Sequence, residues 1–228
     1  MAVLSVDLAM RRWADLGVVV LDRERSGAGG PGTVHCEILP WSDAGLVDAN
    51  TLAGRLNHEC GVRGIRVLLL DGPQAWKSRH NGLEHARVSE RQLNTAAKTG
   101  LPGMVKPATY RAFAEFCVDV YDGLSRRGWR RLATREEPGL PQERVMAESY
   151  PHAAWKSLGL RPLPSKRRCR ISDLAASFAA LKELVPFTVN RPPNHDQLQA
   201  IVGGLPGLAL EERDAAGARI VGAPPRRE

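Results

Sequence analysis

The chain predicts a three-layer α/β fold built on a mixed, five-stranded sheet, and three observations carry that expectation. Short runs rich in Val and Ile open the chain in close succession. A further apolar run follows directly on a helical pattern. Amphipathic segments fill most of the second half, with one more strand-like run among them.

Taken in order, Ala2–Val6 is short and apolar and is closed by Asp7, and Gly17–Leu21 and Thr33–Ile38 supply the next two strands. The stretch SGAGGPG, Ser26–Gly32, holds too much glycine and proline for regular structure and reads as an exposed hairpin loop. It is not a phosphate loop, because no Gly-Lys-Ser/Thr ends it and it leads into a strand rather than a helix. Leu46, Ala49, Leu52, Ala53, Leu56 and Cys60 recur at helical spacing until Gly61 and Gly64, and Val67–Leu70 is then a buried strand ending at Asp71. Pro107 opens a helix whose stripe of Phe113, Phe116, Cys117, Val120 and Leu124 faces a core and stops before Gly128.

Val145–Tyr150 reads as a strand carrying Glu148, with Pro151 opening a short helix. Leu174, Phe178, Leu181 and Val185 mark another helix, with Ser172 as its cap. Pro192 and Pro193 end a loop, and Asn194 caps a last helix with Leu198, Ile201, Val202 and Leu205 on its apolar face. Gly203, Gly204 and Pro206 weaken that helix, and the tail after Gly222 is expected to be loose. The helical segments near 84–128 and 160–190 read as insertions in one domain spanning 1–228, without internal repeats.

Composition narrows the class. With 43% hydrophobic and 25% charged residues, and no apolar run near the roughly 18–20 residues a membrane span needs, the expectation is a globular, cytoplasmic protein. The four cysteines, Cys36, Cys60, Cys117 and Cys169, form no CxxC pair and read as reduced and structural. The net charge of +7 favours a phosphate-rich partner once the basic residues are seen to cluster. They do so at Arg126, Arg127, Arg130 and Arg131, and again at Lys166, Arg167, Arg168 and Arg170. Each run taken alone reads first as a solvated face or a helix end complemented by cations.

Three carboxylates stand out by position: Asp7 and Asp71 each close an apolar strand, and Glu148 lies within one. A fourth, Asp196, falls in the first turn of the last helix. Singly, each is ordinary, since strand ends emerge into solvent and helix N-termini collect acids. As a set on adjacent strands and a crossing helix they would repel strongly unless a cation joined them. Hard divalent ions take such oxygen ligands, and a pair of them about 3.5–4 Å apart clamps the attacking and leaving oxygens in phosphodiester cleavage.

The segments SVDLAMRRW (Ser5–Trp13), LLLDGPQAWK (Leu68–Lys77), ERQLN (Glu90–Asn94), AESYPHAAWKSLG (Ala147–Gly159), RPLPSK (Arg161–Lys166) and NHDQLQA (Asn194–Ala200) resemble a bacterial family of predicted RNase H-like nucleases over nearly the whole chain. The resemblance implies the ribonuclease H-like fold of the retroviral integrase superfamily. It also implies an active site with an Asp on the first strand, an acid at the end of the fourth, and one or two acids near the last helix. Asp7, Asp71 and Asp196 match those positions. Glu148, in the family's Glu-x-Tyr-Pro element, is expected as a fourth ligand or a group outside the ligands. Asp48 lies where ribonucleases H keep a helical carboxylate, but that role is not carried over, because a helix start explains it.

The expected activity is a metal-dependent nuclease cutting DNA or RNA, with one or two Mg²⁺ or Mn²⁺ ions on Asp7, Asp71, Glu148 and Asp196. His195 is a candidate to orient water or protonate the leaving oxygen, with a structural role as the other reading. His152 reads as a helix-start residue. Lys77, Arg91, Asn94, Lys156, Lys166 and Arg167 are candidate substrate contacts, phosphate binding being work for cations that need not read bases. Trp76 and Trp155 are expected in the core, and Glu84 and Glu90 have Arg87 and Arg91 as helical partners. The alternative from another class is a non-catalytic nucleic-acid-binding or partner-binding module on the same fold. An actin-like kinase is rejected, because the chain is too short for two copies of the core with their glycine-rich phosphate loops.

Overall fold

The computed structural model describes residues 2–24, 32–132, 143–212 and 217–222. Most of the SGAGGPG loop and the tail after Gly222 therefore lie outside the described residues. Strands β1 (Ala2–Asp7), β2 (Gly17–Arg23) and β3 (Val34–Ile38) come first, then helix α1 (Ala49–Arg63) and strand β4 (Val67–Asp71). There follow α2 (Val88–Gln92), α3 (Arg111–Ser125), β5 (Arg130–Arg131), β6 (Val145–Glu148), α4 (Pro151–Ser157), α5 (Ile171–Leu184), β7 (Phe187–Val189) and α6 (His195–Glu212).

The sheet runs β5-β6-β4-β1-β2-β3-β7, with β2 antiparallel to both β1 and β3 and every other pairing parallel. Its five central strands are those expected. The sheet has seven strands rather than five, because β5 and β7 add one at each edge. Those two are only two and three residues long, below the length at which alternation can show in a sequence.

Alternation sorts the strand residues into two cores. Leu4, Val6, Val18, Val20, Leu68, Leu70 and Met146 pack with Leu52 and Leu56 of α1 and with Phe116, Cys117, Val120 and Leu124 of α3. Val3, Val19, Leu21, Val67, Leu69 and Val145 pack on the other face with Trp155 of α4, Leu181 of α5, and Leu198, Ile201, Val202 and Leu208 of α6. The α3 stripe is thus a layer of the fold rather than an insertion upon it. All four cysteines are free, and burial pushes the Cys36 and Cys60 thiols up to about 12, as suits inert core residues.

Local signals account for most boundaries. Asp48 caps α1 by accepting from the Thr51 amide at 2.7 Å, and Gly64 ends it in the left-handed region at φ 65°. Gly61 sits inside α1 and does not stop it. One 3-10 turn, Ala108–Tyr110, separates Pro107 from α3. Helix α5 starts one residue before Ser172, and its capping contact is the Arg170 amide donating to Asp173 at 2.8 Å, which corrects the expected cap. Asn194 does cap α6: its Oδ1 accepts from the Gln197 amide, and Gln197 Oε1 accepts from its own amide, both at 2.9 Å.

Helix α6 is not weakened by its glycines, because they are where it touches the sheet. A Cβ on Gly204 would lie 2.6 Å from Leu21 and 2.7 Å from Ser5, and one on Gly207 would lie 2.8 Å from Leu69. Gly17, at the start of β2, is pressed from the other side, where a Cβ would come within 2.2 Å of the Asp196 carbonyl oxygen. The helix therefore rides directly on β1, β2 and β4.

Gly204→Ala is expected to destabilise the protein by about 1–3 kcal/mol despite alanine's better helix propensity, because the added methyl overpacks the interface. Gly61→Ala, with open space around the added methyl, should instead stabilise it by about 0.5–1 kcal/mol. Urea unfolding of the two variants checks the contrast.

Candidate active site

Parallel pairing sets Asp7 of β1 in register with Asp71 of β4. Their side chains alternate onto the α6 face, with Val3 and Val67, not onto the face with Val6 and Leu70. The close seat of α6 then lowers its first turn onto this strand end. One ligand atom each from Asp7, His195 and Asp196 falls within 4.8 Å of the others, a grouping suited to a metal ion. Asp71 is the register neighbour of Asp7 and is outside that trio.

Electrostatics mark the place as strained by like charge. Burial, then the nearby charges of Asp71 and Asp196, push the Asp7 carboxyl well above the usual carboxylate range, while Lys166 opposes the shift. Asp71 is raised from 3.8 to about 7, chiefly by burial and then by Glu148, with Lys98 pulling the other way. Asp196 is buried, and both its oxygens are engaged: Oδ1 lies 3.2 Å from His195 Nδ1, and Oδ2 accepts from the Lys166 ammonium. The hydrogen bond to Asp196 raises the His195 pKa. His195 Nε2 lies 3.0 Å from the Pro164 carbonyl oxygen, an acceptor, so Nε2 carries a proton and the ring presents Nδ1 to the carboxylates. Two carboxylates and a backbone-anchored imidazole form a donor set that a divalent ion fits.

Glu148 is placed elsewhere. Its register partner is Leu70, so alternation carries its side chain to the α3 face rather than the α6 face. There Arg87 grips it in a fork, Nη1 donating to Oε2 at 2.5 Å and Nη2 to Oε1 at 2.8 Å, and the Gln74 amide donates to Oε2 at 3.0 Å. Arg87 is 2% exposed, donates also to Tyr150 Oη at 3.0 Å, and lies 3.5 Å from Glu90. Glu90 is itself buried and accepts from the Arg87 amide at 3.0 Å and from the Lys98 and Thr99 amides at 3.3 Å. This network ties the 74–100 segment to the end of β6 and braces the turn just after Asp71.

The expected substrate contacts divide as well. Lys77 is buried, with its ammonium donating to the Ser78 carbonyl at 2.9 Å, so it is not a surface cation. Arg91 is exposed on α2, and Asn94 ends that helix in the left-handed region at φ 51°. Lys156 is exposed on α4, and Lys166 and Arg167 are exposed on the loop before α5. Trp155 is fully buried, donating to Gln199 Oε1 at 2.9 Å, and Trp76 is half-buried. Three of the four cations of the first basic run are engaged within the fold, Arg126 being exposed: Arg127 donates to the Gly123 carbonyl at 2.8 Å, Arg131 pairs with Asp122 and Arg130 with Glu143.

Three participants escaped the sequence reading. Arg87 is the partner of Glu148, Lys98 acts on Asp71, and Asp15 shares Lys166 with Asp196 at 3.1 Å. Only Asp15 carried a local signal, the spacing of Arg12 and Asp15, which pair at 2.7 Å and help hold Asp15 down at about 2.

No family model and no curated protein matches the chain. Among solved structures, a Thermus thermophilus RuvC structure is similar at 11% sequence identity and a TM-score of 0.40, covering 97% of this chain and 99% of that one. No helix among the described residues is long and apolar enough to cross a membrane.

Asp71→Asn is expected to raise the melting temperature in the presence of a chelator, and by more at pH 8 than at pH 4. The folded carboxyl titrates at about 7 against 3.8 for the free group, so the fold is progressively destabilised as pH rises between those values. The amide abolishes that loss. Each kcal/mol relieved corresponds to about 2–4 °C in a chain of this size. Equal shifts at both pH values in a calorimetric scan contradict the account. Arg87→Met should cost about 3–5 kcal/mol in urea unfolding by leaving Glu148 buried without a counter-charge, and Glu148→Gln in the same background should recover part of it.

Proposed function

We propose that the protein is a metal-dependent nuclease that hydrolyses phosphodiester bonds in DNA or RNA. The observation that carries this reading is the convergence of Asp7, His195 and Asp196 at the end of β1, with Asp71 in register beside them. Asp7, Asp196 and His195 Nδ1 would hold an ion, Mg²⁺ or Mn²⁺, and Asp71 extends the row of oxygens towards a second. Such an ion supplies charge to offset that building on the scissile phosphate and acidifies a bound water.

The rest of the work falls to the chain's own groups. Pro164 fixes the His195 ring through Nε2, so that Nδ1 stays aimed at the carboxylates. Arg87 holds Glu148 in a buried ion pair at the end of β6, and the Gln74 amide on the same carboxylate braces the turn that follows Asp71. Lys166 reaches Asp196, and Arg167 and Arg168 follow it, exposed on the same loop, where cations can seat a phosphodiester backbone by charge rather than by base identity. Arg91, Asn94 and Lys156 are further candidate contacts.

The test is a cleavage screen of labelled single-stranded, duplex, hybrid and branched substrates with Mg²⁺, Mn²⁺ or chelator. Wild-type protein is expected to cut at least one substrate with metal only, and Asp7→Asn and Asp196→Asn to be slower by about a hundredfold or more. Arg126→Met, on the exposed helix end away from the carboxylates, should cut like wild type. Metal-independent cutting, or full activity in Asp7→Asn, refutes the mechanism. Equal binding by all variants without cutting transfers the assignment to a non-catalytic binding module.

A further inference from the structure

The loop between α4 and α5 touches the candidate metal ligands twice within three residues. Pro164 offers its carbonyl oxygen to His195, and the Lys166 ammonium donates to Asp196. Lys166 is 53% exposed at its side chain, whereas the Asp196 side chain is 10% exposed, so the contact joins a mobile-stemmed surface cation to a buried carboxylate. With Nδ1 of His195 on one Asp196 oxygen and Lys166 on the other, both oxygens of that carboxylate are already engaged, and a cation approaching Oδ2 meets the ammonium there.

Resting on the reading of Asp7, Asp196 and His195 as metal ligands, we propose that Lys166 is a tethered counter-cation: it occupies Asp196 when no ion is bound, and a divalent cation must displace it to bind. The structure provides the position to which it withdraws. Asp15 Oδ1 already accepts from the same ammonium at 3.1 Å, and Asp15 is also held by Arg12. Losing Asp196 therefore leaves Lys166 paired on Asp15 at the edge of the site. Displacement costs the Lys166–Asp196 contact, so the site binds its ion more weakly than the same ligands without the lysine would. In return, buried like charges are never left wholly uncompensated while the ion is absent.

The experiment is calorimetric titration of the full chain with Mn²⁺ alone at pH 7.5, using wild type, Lys166→Met, Lys166→Arg and Arg161→Met, with melting scans to check that each is folded. Removing the charge in Lys166→Met is expected to tighten the Mn²⁺ dissociation constant about tenfold, or to reveal binding where wild type shows none. Lys166→Arg, which keeps a cation, should stay within about threefold of wild type. Arg161→Met, which removes an exposed charge from the same loop, should do likewise and so separates this contact from general surface charge. If wild type and Lys166→Met bind Mn²⁺ equally, or Lys166→Met binds it more weakly, the counter-cation role is overturned and the metal-site reading stands. If no variant binds Mn²⁺, both fall. A tenfold gain in Arg161→Met as well overturns the specific role of Lys166.

Discussion

The close seat of α6 on the sheet is the constraint on which the site depends. Gly204 and Gly207 let the helix axis approach β1, β2 and β4 until side chains on the strands contact its backbone, and Gly17 clears the space occupied by the Asp196 carbonyl. A helix held off by ordinary side chains would carry Asp196 and His195 away from Asp7. The same approach removes water from the carboxylates, so the geometry that gathers them also generates their mutual repulsion. Site and strain have one cause.

The protein handles its buried acids in two different ways. Glu148 is closed off: a guanidinium, always charged and forked to match a carboxylate, fills both of its oxygens from a buried position. Asp196 is met by a lysine instead, a single-point cation on a flexible stem that is half in solvent and shared with Asp15. A bidentate buried arginine suits a permanent brace, and a shared, half-exposed lysine suits a contact that can be given up. That difference in chemistry separates a carboxylate locked into the fold from one whose counter-charge is only loosely held.

How much could be read in the sequence follows from the range of each signal. Asp7 and Asp71 were visible because each ends an apolar strand, and parallel pairing then put them side by side. The Asn194 cap was visible because capping is decided within four residues. Glu148 looked equivalent to the other acids, yet its face depends on register: one residue's shift along β6 moves a side chain from the α6 face to the α3 face, and no local pattern in Val145–Glu148 fixes that. Arg87 lies 61 residues from its partner, beyond any spacing rule. The glycines of α6 count against the helix by propensity, which is a local property, whereas their use is a tertiary contact.

The two basic runs make the same point about function. In sequence they are alike, four cations each within a few residues, and net charge cannot tell them apart. The first is largely consumed at the end of α3, where Arg127 takes a helix carbonyl and Arg130 and Arg131 take nearby carboxylates. The second occupies a proline-bounded loop with its arginines exposed and its lysine reaching back to Asp196. Only the second brings positive charge to the rim of the carboxylate cluster. A polyanion drawn to it by charge would have its backbone beside Asp7 and Asp196, so here attraction and any chemistry on the phosphate share one location.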